Sequence, residues 1–235
     1  MRCRSTAEKG KIMNLNNLYN ENNKALVEAF ARFLENREYK DSQIVCHRSF
    51  DVNPEQNCHC YFPEGYRVGD VIDFTLTTGE EVSAMAMRQE VDGMLFVFVD
   101  CLKDEVPMNE DNSTMGGYEC CDLRKKLNTD ILDTFPDTIK TRMKPVYQED
   151  KLRLLTAMEV FGENEYGDED HGVQLEPMKS LKNRIAFQGK GTDEWEWYWL
   201  QNVYSASAFA NVSGYGHANG GHASLSLGVR PAFKI

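Results

Sequence analysis

No Asp, Glu, Lys or Arg stands between Glu196 and Arg230, in a chain where 27% of residues are charged. A gap of that length restricts the fold sharply, because such a stretch is either packed away or held out for contact. It is too rich in Gly, Ser, Asn and His to be core throughout. Its small and amphipathic side chains are those that binding loops favour, since they make adaptable contacts at low entropic cost. Two stiff apolar segments bracket it, Trp197-Tyr198-Trp199-Leu200 and Val229-Arg230-Pro231-Ala232-Phe233, and both read as core anchors. A solvated Gly/Ser-rich tail would carry neither anchors nor a pattern. This stretch has a pattern. Ser213, Tyr215, His217 and Asn219 alternate with Gly214, Gly216 and Ala218, and Leu225 and Leu227 alternate with Ser224 and Ser226. Period two places each set on one face of an extended chain. The spacing predicts a display surface, with small residues against the body and the others outward.

Trp199, Leu200, Ser205, Ala206, Ser207, Phe209, Ala210, Asn211, Val212, Gly216, Ala218, Ala223, Ser224, Ser226, Gly228, Val229, Arg230, Pro231 and Phe233 form an ungapped frame. That frame resembles the variable region of C-type-lectin-like variable proteins diversified by retroelements in gut bacteria and their phages. In that family the intervening positions are Asn codons mutated at their adenines, and the residues here (Ala, Ser, Gly, Tyr, His and Leu) all belong to the permitted set. The resemblance implies a ligand-binding set of Ala208, Ser213, Gly214, Tyr215, His217, Asn219, Gly220, Gly221, His222, Leu225 and Leu227. Tyr204, off the family pattern, joins as a further displayed position. Gln201 stands where the family usually has Arg, which leaves that residue's partner open. The resemblance also implies an α+β, C-type-lectin-like fold. Its parts are a mixed β-sheet, two flanking helices and a long irregular C-terminal half in which Trp195–Leu200 pairs with Val229–Phe233. The glycines at 214, 220 and 221 are expected to leave hollows.

Charge and composition narrow the partners. A net charge of -11 argues against nucleic acid and against anionic membranes. No run of about eighteen apolar residues offers a membrane span. Arg2, Arg4 and Lys9 lead into no apolar stretch, so no secretory signal is read and synthesis in the cytoplasm is expected. Seven cysteines then read as reduced thiols, the adjacent Cys120 and Cys121 included. Cys46-His47 and Cys58-His59-Cys60 are dense enough in thiolate and imidazole to hold zinc, but their spacing fits no usual finger, so zinc and free thiols both stand. Glu163, Glu165, Asp168, Glu169 and Asp170 crowd one loop. Calcium would want such carboxylates, yet the spacing is not that of an EF-hand and a solvated acidic loop is the plainer account.

The chain divides at about residue 66. Residues 1–66 read as a small helical segment and connection, with Leu26, Phe30, Phe33 and Leu34 on one face of a helix over 22–39. That stripe packs on its own chain or makes a homo-oligomer contact. Residues 67–235 read as the ligand-binding domain, with its variable region over 199–233. Within it, 68–100 predicts a three-stranded meander turning at Thr77-Thr78-Gly79-Glu80 and Asp92-Gly93. Leu123, Leu127, Ile131, Leu132 and Phe135 mark an amphipathic helix stopped by Pro136, and residues 102–119 before it a loop. Lys151–Leu155 reads as a short strand, Thr156 with Glu159 as a capping box, and 180–188 as a helical turn.

Motifs for a phosphate loop, nucleophile elbow, zinc protease or dinucleotide fold are missing. The enzymatic relative of the implied fold is the formylglycine-generating type, which needs a reactive Cys pair in its C-terminal half. No Cys follows Cys121. The reading is therefore a binding protein and not an enzyme, with no catalytic residues, cofactor or resident metal, that recognises a protein or cell-surface ligand. A place on a phage tail fits it. The alternatives are a structural virion or assembly component, and an enzyme of the same fold with an unknown substrate.

Overall fold

The computed structural model describes residues 65–163 and 172–235, together with the backbone of Arg48–Ser49. The amphipathic segment 22–39, the Cys46–Cys60 cluster, and Glu165, Asp168, Glu169 and Asp170 lie outside these residues. The architecture is α+β, with mostly antiparallel sheets and a few short helices.

Strand β1 (Arg48–Ser49) lies parallel to β2 (Val71–Thr75), which begins the meander with β3 (Glu81–Glu90) and β4 (Gly93–Phe98). Leu76–Glu80 and Asp92–Gly93 turn the chain where the sequence places the turns. Alternation decides the faces of β2 and β3: Ile72, Phe74, Val82 and Ala84 point inward, while Asp73 and Ser83 meet at the surface through a 2.5 Å hydrogen bond. Strand β4 is buried on both faces from Met94 to Phe98.

Helix α1 (Gly117–Cys120) precedes α2 (Asp122–Lys126), which Cys121 caps by accepting from Arg124 N at 3.3 Å. Cys120 is exposed, Cys121 is buried, and both are free thiols. The expected amphipathic helix is thus present, but it widens into a π-helical turn over Leu127–Ile131. Asn128 gives the physical reason. Its amide donates to Arg124 O (3.1 Å) and Leu152 O (2.9 Å), and its Oδ1 accepts from Lys151 N (2.9 Å) and Leu152 N (3.0 Å). One side chain thereby ties the widened helix to β5 (Leu152–Arg153). Pro136 ends the helix, and the short α3 (Asp137–Lys140) follows. The capping box forms as expected at α4 (Ala157–Phe161), with Glu159 N donating to Thr156 Oγ1 (3.2 Å) and Thr156 N to Glu159 Oε2 (3.1 Å). The same carboxylate takes a bidentate bond from buried Arg153, at 2.6 and 2.7 Å. The interaction with Arg153 keeps Glu159 ionised against its burial. A 3-10 turn (Glu176–Lys179) and α5 (Leu181–Arg184) lead to the small sheet of β6 (Ala186–Phe187) and β7 (Trp195–Glu196).

The charge-free stretch forms its own antiparallel sheet of β8 (Tyr198–Ser205), β9 (Ala208–Val212) and β10 (Ala218–His222), in the order β10-β9-β8. The chain then returns to the main sheet. Strand β11 (Ala232–Lys234) enters between β4 and β5, so the order there is β1-β2-β3-β4-β11-β5. Phe233 pairs with Phe96 on one side and Leu152 on the other. Backbone bonds extend the seam from Ile235, which exchanges with Met94, to Pro231 with Phe98 and Val229 with Leu102.

Two apolar cores flank these sheets. One joins the Phe96, Phe98 and Phe233 face to Leu123, Leu127, Trp199 and Phe209. The other joins Leu95, Val97 and Ala232 to Val160, Met178, Tyr198, Leu200, Ala210 and Val212. Phe233 is the centre of the first. Its ring lies 5.6 Å from Phe96, stacked, 5.6 Å from Phe135, and 6.2 Å from Phe74 and Phe98, edge-on to each. Offset and edge-to-face contacts of this kind add to the area each ring buries. Phe233→Ala is expected to cost about 3–5 kcal/mol, because the void cannot collapse among four rigid rings. Urea unfolding followed by circular dichroism reads that loss; a cost under about 1 kcal/mol would contradict it.

Candidate functional site

The expected surface begins from two anchors, and they are held differently from the expectation. Trp195–Leu200 and Val229–Phe233 do not pair along their lengths. Their backbones meet near Gly228, which bridges Tyr198 in parallel, donates to Trp197 O (2.8 Å) and accepts from Trp199 N (3.2 Å). Val229–Phe233 runs on into the main sheet instead, because β4 offers it a continuous partner. Arg230 ties the two anchors together. Buried, it donates to Phe98 O (2.7 Å), Asn183 O (2.9 Å) and the Tyr198 hydroxyl (3.0 Å), with its guanidinium 5.1 Å from the Tyr198 ring centre. Trp199 is fully buried and donates from Nε1 to Val106 O at 2.8 Å. Trp197, taken as an anchor, is 38% exposed. Gln201 uses its neutral amide to cap Leu154 O at 2.6 Å, so the open question at that position is answered by a backbone carbonyl.

Loop 102–116 backs the sheet. Val106 pairs with Leu227, Asn109 N donates to Ala223 O (3.0 Å), and the Thr114 hydroxyl donates to Ser205 O (2.8 Å). Asn112 Oδ1 accepts from the Ser224 hydroxyl at 2.6 Å. These bonds hold the strand connections at their bases while their tips stay open.

The candidate residues divide once placed on this frame. Tyr204, Tyr215, His217, Asn219, His222 and Leu225 are exposed. Gly220 and Leu227 are partly covered, and Leu227 packs on the first core. Ala208, Ser213, Gly214 and Gly221 are buried, which corrects their expected place on the display. Ala208 lies in the middle strand, covered from both sides. Ser213 turns its hydroxyl into the loop, where it accepts from His217 N at 3.2 Å. Alternation also fails over 213–217. This segment is a closed hairpin loop rather than extended chain: Ser213 N donates to His217 O (2.8 Å), Gly216 N donates to Ser213 O (2.8 Å), and Gly216 takes φ +77°. Only from Ala218 is the chain a strand.

Nor do the glycines leave hollows. A Cβ at Gly214 would meet the Trp195 Cβ at 3.3 Å and the Trp197 ring at 3.6 Å. At Gly221 it would meet Asn211 Nδ2 at 2.9 Å and the Trp199 ring at 3.1 Å, and at Gly220 the Tyr204 ring at 2.6 Å. Each glycine is a seat for a neighbour's side chain. Asn211 under Gly221 is buried with no hydrogen-bond partner for its amide among the described residues, a cost its packing must offset.

The surface therefore has two ends. At one, Tyr215 stands edge-on to Trp195 at 5.2 Å, and the adjacent Gly214 lies against the Trp197 ring. At the other are Tyr204, His222 and Leu225, and Met115 of the backing loop, which is 85% exposed, follows the Thr114 that bonds Ser205 and Ala206. Five residues of extended chain from His217 to His222 separate the two ends by about 17 Å. Trp195, Trp197 and Met115 carry no sequence signal for this surface: the two tryptophans read as core, and no periodicity marks the methionine. Among the described residues no group of three or more His, Cys, Asp and Glu is placed to hold a metal ion, and no helix is long and apolar enough to cross a membrane. Glu163, the described member of the acidic loop, is exposed.

Beneath the aromatic end lies one perturbed acid. Glu196 is buried next to Gly228, bonds Trp197 N at 2.7 Å, and shares a hydrogen bond with Glu105. Burial first, and the neighbouring Glu105 second, push its carboxyl up to about 7. The folded state then holds a proton that the unfolded chain, titrating near 4.5, releases earlier. Between those values the native state binds more protons, so this group's stabilisation is complete below pH 4.5 and falls as pH rises through 7. Unfolding free energy is expected to drop by about 1–3 kcal/mol between pH 5 and pH 8, and Glu196→Gln to flatten that slope. An unchanged slope in the variant would remove the assignment.

No curated protein and no solved structure matches this chain. A family model described as Domain of unknown function (DUF6273) matches residues 92–235, from the turn before β4 through the sheet of β8, β9 and β10 to the last residue. That span is more than half of the chain and includes the whole candidate surface, and the chain belongs to the DUF6273 family.

Proposed function

We propose that this chain is a ligand-binding protein of the C-type-lectin-like variable type. Residues 67–235 form its binding domain, and a retroelement diversifies the exposed positions within 199–233. The ligand is a protein or cell-surface group, and a phage tail is a fitting place to carry such a receptor-binding surface. The observation that carries the reading is a separation of duties within one stretch. Trp199, Phe209, Val229 and Phe233 are wholly buried, while Tyr204, Tyr215, His217, Asn219, His222 and Leu225, interleaved with them in sequence, are exposed. A rigid frame tolerates change at positions that support nothing. Half-exposed tyrosines beside small residues are the side chains that anchor protein interfaces. The two covered glycines and Ala208 and Ser213 narrow the diversified set to those six residues, with Gly220 and Leu227 at its margin. No charge lies among them, so the contact is made by aromatic, amide and imidazole groups.

The test is a library. Codons for the six exposed residues are randomised as an adenine-directed process would change AAC, and the variants are displayed on intact bacterial cells and their surface proteins. Most members are expected to fold, each within about 1 kcal/mol of the parent in urea unfolding. Selection is expected to enrich variants that differ only at these positions. A library that mostly unfolds, or that enriches nothing over the all-Asn member, overturns the reading. The gene should also lie beside a reverse transcriptase and a near-copy of the coding region for 199–233, with differences confined to adenines.

A further inference from the structure

Tyr204 leaves the end of β8, and Gly220 sits on β10, two strands away in the order β10-β9-β8. Strand spacing alone puts about 10 Å between them. Yet a Cβ built at Gly220 would stand 2.6, 2.7 and 2.9 Å from Cγ, Cδ1 and Cδ2 of the Tyr204 ring. Cγ is only two bonds from the Tyr204 Cα, so the chain itself, which loses its register with β9 between Val203 and Ser205, bends toward β10 and lays the ring face over Gly220. One face of the ring is seated on Gly220, and Tyr204 keeps 54% of its own surface exposed. Three ring atoms cannot stay within 3 Å of a new carbon, so a side chain at 220 must displace either the ring or the strand. The ring is the softer of the two, since it is half solvated and turns about χ1, whereas β10 is laddered to β9 at five positions.

We propose that Gly220 is the positioning residue for Tyr204: it is the seat that lays the ring flat, and any side chain there lifts the ring into solvent. The inference rests on the display reading and deepens it. Positions 204 and 220 do not vary independently. With Gly at 220 this end of the surface is a flat aromatic platform. With any other residue at 220, the platform is replaced by two upright side chains and a changed ligand shape. Diversity at 220 thus acts through 204, although the two belong to strands that do not pair.

A double-mutant cycle without any ligand reads the seat. Gly220→Ala in the parent is expected to raise the unfolding equilibrium constant at fixed urea about tenfold. In a Tyr204→Ala background the same change is expected to be neutral or stabilising, since Ala suits a strand better than Gly. Nitration by tetranitromethane, followed at Tyr204 by peptide mass mapping, is expected to run several-fold faster in Gly220→Ala. An equal cost in both backgrounds, a variant that fails to fold in both, or an unchanged nitration rate each overturns the proposal. A variant that folds only with Tyr204→Ala supports it. Neither measurement involves a ligand, so a failed seat leaves the library selection to judge the display on its own, and a failed selection leaves the seat standing.

Discussion

The insertion of β11 between β4 and β5 is the interaction on which the rest depends. A central strand bonds along both edges and packs on both faces, and this one joins strands far from it in sequence. Its aromatic, Phe233, meets four other phenylalanines, and its neighbour Ala232 belongs to the opposite core. The strand therefore joins two cores as well as two halves of a sheet. Because the chain must return to this slot, everything from Trp199 to Gly228 is an excursion whose two ends are pinned. Pinned ends keep a Gly- and Ser-rich stretch in one conformation where a free tail of the same composition would be solvated coil.

The excursion is stiffened by three further devices. Arg230 bridges the two anchors through carbonyls and the Tyr198 hydroxyl. Loop 102–116 bonds the bases of both strand connections. Glycines at 214, 220 and 221 lie against the rings of Trp197, Tyr204 and Trp199, so that large side chains settle on the backbone without spreading it. Beneath one end, burial and the neighbouring Glu105 raise the Glu196 carboxyl well above the usual carboxylate range. All of these supports lie below or at the base of the exposed side chains. That is the arrangement a diversified contact surface requires, and it is why the binding reading is preferred to a catalytic one.

Much of the frame was legible in advance. Alternation in Ile72–Leu76 and Val82–Ala86 marked the meander, Pro136 marked a helix end, and Thr156 with Glu159 marked a cap. Each signal is local: it depends on neighbours within four residues. The π-helical turn was not legible, since it follows from Asn128 reaching a strand more than twenty residues away. The fate of the candidate residues splits on the same line. Tyr215 and His217 are exposed as the sequence leads one to expect, because they are large and polar in a small-residue context. Trp197 was misplaced because its sequence neighbours are buried and it is not.

The charge-free stretch, the apolar segments that bracket it, and the turns and caps are legible along the chain, because they depend on composition and short-range spacing. Which of the interleaved small residues are seats, and which side chains are shown, follows from how the strands assemble. Exposure of Ala208 or Gly221 depends on what arrives from β8 or from the core across a neighbouring strand, and no pattern along a single strand carries that. Sheet order, set by where β11 finds two open edges at once, makes the choice.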